Sequence, residues 1–477
     1  MNARPALAAL VAVGVAACGT FAERPQHPAP VATGGLGLEP ATRTAIADDW
    51  WRAFGDPQLD ALVRRADRDS PTLSDALARL EHARADASAE LGGRGPNVDL
   101  SASAIRSRFS ELYIIPPPYG GGTFWDSQLE VALSYDVDLW GRQRARIRAA
   151  QRYADARELD ARAARLAVEG SVVSGYIDLD RRYQLAEIAR STEQTRTELA
   201  TLTGRRVDAG LDSAVERETA EAAMPEARAD REQAVAAIEL GLHQLAALTG
   251  QGAEAYGEIT RPNLDYTGAW SLPAVIPGDL LARRPDIAAA RARVEAAAAT
   301  EEVARLAAYP DINLRAFAGY AALTLTDLLS APARSYGIGP AVQLPIFDRG
   351  RLRARARGAA ADVDAAIADY NATVLDAVRQ VADAVTTIEA LDREARDAAQ
   401  RCALLEAVQK LAVARFRGGL AGRTTVLDAD IRLLAARRML VMTRASAAQA
   451  RVTLIVSLGG GLGTEPAGAQ ASAKAFP

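Results

Sequence analysis

The 477-residue chain is poor in the residues from which most catalytic centres are built. It has two cysteines and three histidines, too few and too scattered for a zinc, iron–sulfur or haem site. Neither of its two lysines, Lys410 and Lys474, follows a glycine, so no phosphate-binding P-loop can be written, and no Gly-x-Ser-x-Gly sequence occurs. These absences argue against metalloenzymes, nucleotide hydrolases and serine hydrolases, and no cofactor is expected.

An excess of charge of one sign is also lacking. Charged residues make up 24% of the chain and the formal net charge is -4, so no nucleic acid is expected as a partner. Aromatic residues make up only 5%. Alanine, in contrast, accounts for 105 residues, and this abundance favours long, closely packed helices.

The first 17 residues have the form of a signal peptide, because Arg4 precedes an apolar run of about ten residues that is too short to span a bilayer. The sequence VAACG follows and resembles the bacterial lipobox, so Cys18 is expected to carry lipid as the first residue of the mature chain. The alternative is an ordinary cleavage site, with Cys18 removed or paired with Cys402. Residues rich in proline and glycine follow and predict an extended tether up to residue 47.

The remainder of the chain contains an internal repeat with an offset of 209 residues. RVDAGL at 206–211 matches RFRGGL at 415–420, and LTG at 248–250 matches LGG at 458–460. Other landmarks keep nearly the same offset. The chain is therefore interpreted as a tandem duplication.

Each repeat is predicted to begin with a helix and to continue with two strands. Polar and apolar residues alternate, as is typical of half-exposed strands, in four segments: residues 97–109, 125–139, 311–325 and 336–346. Strands of this length can cross a bilayer at a tilt. Four strands cannot close a membrane barrel alone, and unpaired edges are very unfavourable in lipid, so several chains would have to share one barrel.

A long helical stretch follows each pair of strands, at residues 142–203 and 351–417. In the second stretch, apolar residues recur at steps of three and four, which predicts a coiled-coil seam formed by Val363, Ile367, Tyr370, Val374, Val378, Val381, Val385 and Ile388. Cys402 lies on the continuation of this seam and is expected to be packed rather than reactive. Glycine turns at Gly210 and Gly419 reverse both stretches, giving two helical hairpins.

Five motifs occur in a distinctive order between residues 48 and 460. They are WWRAFGDP at 50–57, YDVDLWGR at 135–142, LARRPDI at 281–287, PIF at 345–347 and VLDA at 426–429. Together they resemble the TolC/OprM family of outer-membrane efflux ducts, most closely its NodT-like lipoprotein branch.

The resemblance implies a mostly α fold with a transmembrane β part. Three identical chains would form a 12-stranded outer-membrane β-barrel continued by a 12-helix periplasmic α-barrel. The protein would be lipid-anchored in the outer membrane of a Gram-negative bacterium and extend into the periplasm. Its expected partners are a periplasmic adaptor (membrane fusion) protein and an inner-membrane pump of the RND type, with major-facilitator and ATP-driven pumps as alternatives.

The expected division of the chain follows from the repeat and the resemblance. It comprises a signal peptide at 1–17, a lipidated start and tether at 18–47, a first repeat at 48–250 with strands at about 97–139 and a hairpin at about 141–250, an equatorial linker at 251–284, a second repeat at 285–460 with strands at about 311–346 and a hairpin at about 349–458, and a tail at 461–477. No segment is assigned to catalysis, because a duct conducts drugs or other small solutes passively.

By resemblance, the second hairpin closes the periplasmic mouth and acidic residues surround the constriction. Asp428 lies on the matching motif, whereas Thr425, with Thr424 beside it, stands where relatives often have a second acidic residue, so a less charged gate is expected. The alternative for Asp428 is a solvated helix residue. Glu216 matches an acidic position that pairs with a basic residue of the second hairpin in some relatives, and the candidates for that partner are Arg423 and Arg417.

The hairpin tips contain Gly210, Leu211, Gly419 and Leu420, which by resemblance contact the adaptor. The alternative is that these residues only end the helices. A different hypothesis for the whole protein is a lipid-anchored periplasmic coiled-coil scaffold without a pore. An enzyme is a more distant third hypothesis, because the charged residues of the helices are explained by solvated faces.

Overall fold

The computed structural model describes residues 26–31, 49–112, 114, 116, 118–264, 266 and 284–460. Cys18, the signal peptide, most of the tether, most of the predicted equatorial linker and the tail lie outside the described residues. Two compact units share the described chain. One contains Arg79–Glu158 and Ala289–Tyr370 with residues 26–30, and the other contains the remaining described residues.

The described residues form seven α-helices and four strands. In chain order these are α1 (Pro57–Asp69), α2 (Pro71–Gly92), β1 (Asn97–Arg108), β2 (Thr123–Asp136), α3 (Arg142–Asp208), α4 (Ala214–Leu248), α5 (Pro285–Leu306), β3 (Asp311–Ala322), β4 (Arg334–Gln343), α6 (Arg349–Arg417) and α7 (Arg423–Ser457). The order helix, two strands, long helix, shorter helix therefore occurs twice.

The first unit contains a four-stranded antiparallel sheet in the order β1-β2-β3-β4. Asn97 lies opposite Ser134, Asp136 opposite Asn313 and Asp311 opposite Gln343. The strands β2, β3 and β4 end a few residues earlier than the alternating segments predict. After β2 the cause is local. The Asp138 carboxylate accepts hydrogen bonds from the backbone N–H groups of Gln143 and Arg144, in the first turn of α3, at 3.1 and 3.0 Å, so Asp138 caps the helix instead of continuing the strand.

The register separates the side chains of this sheet onto two different faces. One face is apolar over most of its length, with Arg106, Arg108 and Arg334 towards one end, and includes Val98, Leu100, Leu129, Val131, Leu133, Ile312, Leu314, Tyr336, Ile338 and Val342. The other face is polar and includes Asp99, Ser101, Ser103, Asp126, Gln128, Glu130, Asn313, Arg315 and Gln343. Several apolar side chains are well exposed, for example Tyr336 at 83% and Ile338 at 78%.

The second unit has its core where the WWRAFGDP motif packs on the long helices. Trp50, Trp51 and Phe54 are buried in one apolar cluster with residues of α1, α3, α4 and α7. Asp56 caps α1 and also accepts hydrogen bonds from the Tyr176 hydroxyl at 2.7 Å and the Asn263 backbone N–H at 2.9 Å. The motif thus connects the start of the unit to α3.

The seam of α6 follows a strict heptad spacing but differs in two places from the predicted one. The buried or half-buried positions are Val363, Ile367, Tyr370, Val374, Ala377, Val381, Ala384, Ile388, Leu391, Ala395, Ala398, Cys402, Leu405, Gln409 and Ala412. Val378 and Val385, which were predicted to lie on the seam, are half-buried, and the heptad spacing instead passes through the buried Ala377 and Ala384, so the predicted seam is corrected at these two steps. A 3.5-residue period places alanines at these two steps, although valine is the more apolar residue. Cys402 is buried on the seam as expected.

Among the described residues, no helix combines the length with the apolarity that crossing a membrane requires.

Candidate functional site at the hairpin tips

The two helical hairpins turn through the same backbone geometry. Gly210 and Gly419 adopt positive φ angles of 71° and 70°. In the first turn the Leu211 N–H donates to the Arg206 carbonyl at 2.8 Å, and in the second the Leu420 N–H donates to the Arg415 carbonyl at 2.8 Å. This pattern ends a helix with a left-handed glycine, and the repeat is therefore preserved at the level of single hydrogen bonds.

The return helices begin in different ways. Ser213 and Glu216 form a capping box at the start of α4, in which the Glu216 carboxylate accepts the Ser213 backbone N–H at 3.0 Å. The hydrogen bond from the Ser213 hydroxyl lowers the pKa of Glu216. Gly422 precedes α7 without a side-chain cap. Thr425 stands in the second repeat where Glu216 stands in the first, so the box is absent there.

The structure does not bring Glu216 to Arg423 or Arg417 within one chain. The capping box engages the Glu216 carboxylate, and Arg423 binds Glu198 of α3 instead, through two N–O contacts of 2.7 and 3.0 Å. The expected pair is therefore replaced inside the chain by a link between α7 and α3. The sequence contains no motif that marks Glu198, because its partner depends on how the two hairpins pack.

The Arg423–Glu198 contact is bidentate and charge-assisted. The guanidinium of Arg423 lowers the pKa of Glu198, and the Glu198 carboxylate raises the pKa of Arg423. The two side chains are 39% and 49% exposed, so the contact contributes only about 0 to 1 kcal/mol to stability. Its importance is therefore geometric: it fixes the first turn of α7 to the first hairpin.

The start of α7 has one packed side and one free side. Val426 and Ala429 pack with Ala412 of α6, and Leu427 is also buried. Asp428 and Thr425 are exposed and Thr424 is half-buried. Among the described residues, the Asp428 carboxylate has no hydrogen-bond or ion-pair partner.

The leucines of both tips project into solvent. Leu211 is 66% exposed and Leu420 is 73% exposed, each directly after its positive-φ glycine. Neither glycine has a neighbouring atom within 4 Å of an added Cβ. The geometry of the turn therefore explains the glycines, while it leaves the two exposed leucines without a structural role in one chain.

The family model for outer membrane efflux proteins matches residues 62–251 and 276–460. The chain belongs to the outer membrane efflux protein family. The two matched segments correspond to the two repeats, and the family predicted from the sequence motifs is confirmed.

Named relatives of this efflux protein agree with that assignment. It is 36% identical over 368 residues to the fusaric acid resistance protein FusA of Burkholderia cepacia, covering 75% of this chain and 69% of FusA. It is 30% identical over 430 residues to the multidrug resistance outer membrane protein MdtP of Escherichia coli, covering 87% of both chains.

A solved structure shares the fold. The outer membrane protein VceC of Vibrio cholerae is 34% identical, with a TM-score of 0.79 over 88% of this chain and all of VceC. The efflux protein is therefore an outer-membrane channel component of an efflux system, with the helical and β parts of a TolC-like channel.

Proposed function

We propose that three copies of this efflux protein form one passive duct, closed at its periplasmic end by the start of α7. The observation that carries the proposal is the sheet, which has one apolar face and two edges, β1 and β4, that each have one neighbour within the chain. In lipid, unpaired backbone groups on such edges cost several kcal/mol each. Neighbouring copies would pair them, and three copies give twelve strands.

The free side of α7 is the proposed gate. The exposed carboxylate of Asp428 would approach two copies of itself around the threefold axis, with Thr424 and Thr425 beside it. Like charges so placed attract cations into a narrow mouth. The Arg423–Glu198 contact would hold this turn against the first hairpin, and its release would let α7 move outward. Glu216 and Arg417, which are not paired with each other within one chain, would pair between neighbouring copies.

The proposed partners act at the tips. Leu211 and Leu420 offer two equivalent apolar contacts for a periplasmic adaptor, which would connect the duct to an inner-membrane pump, proposed to be of the RND type. Lipid on Cys18 would anchor the chain. The names of FusA and MdtP support small organic solutes, including drugs, as the cargo. No step in this function needs a catalytic residue.

Planar-bilayer conductance of the purified trimer tests the proposal. Asp428→Ala should raise single-channel conductance, because cations would no longer be held between the three carboxylates at the constriction. Glu218→Ala is the matched control, since Glu218 is exposed near the equivalent point of α4. Unchanged conductance of an intact Asp428→Ala trimer would refute the gate. A folded trimer that stays silent in both variants, and also with adaptor added, would favour the scaffold.

A further inference from the structure

Both long helices begin with an unusual density of arginine where they leave the sheet. The segments RQRARIR at 142–148 and RGRLRARAR at 349–357 contain nine arginines and no acidic residue. β2 and β4 run in the same direction in the antiparallel sheet, so both segments begin at the same end of it. The first unit therefore concentrates positive charge beside one end of its sheet.

Part of this charge is neutralised by neighbouring carboxylates. Arg142 contacts Asp311 at 2.6 Å and Arg144 contacts Asp138 at 3.3 Å, while Arg148 and Arg351 pair with Glu302 and Asp348. A second group has no such partner. In the part of the chain that the structure describes, no ion pair involves Arg146, Arg355 or Arg357, and all three are exposed.

The arginine-rich segments do not stabilise the starts of the two helices. Cations in the first turn of a helix are unfavourable relative to its dipole, yet Arg142 and Arg144 of α3 and Arg349 and Arg351 of α6 lie there, and neither first turn has an acidic residue. A local arrangement that opposes the fold points to a function. The excess charge would be compensated by an external anion.

Exposed apolar side chains accompany the unpaired arginines. Leu139 is 57% exposed after β2, and Ile346 and Phe347 are 61% and 98% exposed after β4. They continue from the strand ends of the sheet, whose apolar face is suited to lipid. Apolar side chains beside cations are typical of surfaces that lie at a membrane interface.

We infer that Arg146, Arg355 and Arg357, with Leu139, Ile346 and Phe347, form a surface that binds anionic phospholipid headgroups of the leaflet next to the helices. The apolar side chains would lie at the acyl boundary and the guanidiniums would hold phosphates. This junction surface rests on the proposed position of the sheet in the membrane. It would fix the depth of the duct in the bilayer independently of a lipid on Cys18.

Native mass spectrometry of the delipidated full-length protein tests the junction surface. The probes are dihexanoyl phosphatidylglycerol and, as the zwitterionic reference, dihexanoyl phosphatidylcholine. Wild-type protein should retain more phosphatidylglycerol, and Arg355→Gln/Arg357→Gln should lower that preference by about thirtyfold, since it removes two arginines. The matched control is Arg393→Gln/Arg396→Gln, which removes the same charge from exposed positions further along the same helix and should leave the preference unchanged.

The outcomes separate this inference from the duct. Equal retention of both lipids by wild-type protein, or an equal loss in the control, would overturn the junction surface. Loss of the trimer with an unchanged lipid preference would assign the arginines to contacts between copies and also overturn it. A selective lipid preference in a protein that stays silent as both variants, and also with adaptor added, would support the junction surface and count against the duct.

Discussion

His27 holds the described part of the N-terminal segment against two helices of its unit. Its Nδ1 lies 2.9 Å from Asp364 Oδ1 of α6 and its Nε2 lies 3.0 Å from Glu301 Oε2 of α5. Both ring nitrogens can donate only when the imidazole is protonated. The hydrogen bond to Asp364, opposed by some desolvation and joined by the interactions with Glu301, raises the pKa of His27.

A pH-dependent contribution to stability follows from this contact. Because the pKa is higher in the folded than in the unfolded chain, the contribution is fully present below the unfolded value of about 6.5 and is lost as the pH rises through the folded value. His27→Gln should therefore lower the urea midpoint more at pH 5.5 than at pH 9. The control is His82→Gln, since His82 is 79% exposed and its ion pair among the described residues is with Asp86, on its own helix. An equal loss for His27→Gln at both pH values would contradict the prediction.

Single residues also show where sequence reasoning stops. The turn glycines Gly210 and Gly419 could be predicted, because positive φ is a local demand of the chain. The contact of Arg423 with Glu198 could not, because 225 residues separate the two and only the packing of the hairpins brings them together. The resemblance assigned Glu216 to an ion pair with an arginine of the second hairpin. Within one chain, however, its carboxylate accepts a hydrogen bond from Ser213, three residues away.

At the scale of the element, the spacing of the buried positions of α6 could be predicted from the sequence, but not every residue that occupies them. The period of 3.5 residues could be read from the valines and isoleucines, and it runs on to Ala412 in the structure. Ala377 and Ala384 lie on the seam although valines follow each of them directly. Close helix packing accommodates the smaller side chain, and an apolarity scale cannot express that preference.

Two chemically identical substitutions test this seam. Val374 is fully buried on it, whereas Val378 is half-buried beside it. Val374→Ala should lower the free energy of unfolding by about 1.5 to 3 kcal/mol, since it removes two buried methyl groups and leaves a cavity. Val378→Ala should cost less than about 1 kcal/mol. Urea unfolding of both variants measures the difference, and an equal cost would return Val378 to the seam.

At the scale of the whole molecule, the polar face of the sheet determines the chemistry of the proposed lumen. Alternation in the sequence predicts that one face is polar, while the register shows which charges share it. Asp99, Asp126, Glu130, Asp136 and Asp311 lie on this face with a single arginine, Arg315. Arg142 neutralises Asp311 at 2.6 Å. The remaining charged groups on the polar face, four carboxylates and Arg315, sum to -3 in each chain, so three copies would place -9 around one lumen.

A lumen with this charge should conduct cations in preference to anions. Glu130 is the residue to vary, because it lies mid-strand between Ser101 and Gly319 and has small neighbours on both sides. Reversal potentials in a KCl gradient should show cation selectivity for wild-type trimer, a weaker selectivity for Glu130→Gln and the weakest for Glu130→Lys. Relative to wild type, the two substitutions change the charge of the trimer by three and six units. The differences in selectivity should be larger at low ionic strength, because screening is weaker there. Selectivity that does not change across the series would show that the polar face lies away from the conduction path. It would also contradict the proposed closure of the sheet into a barrel around that path.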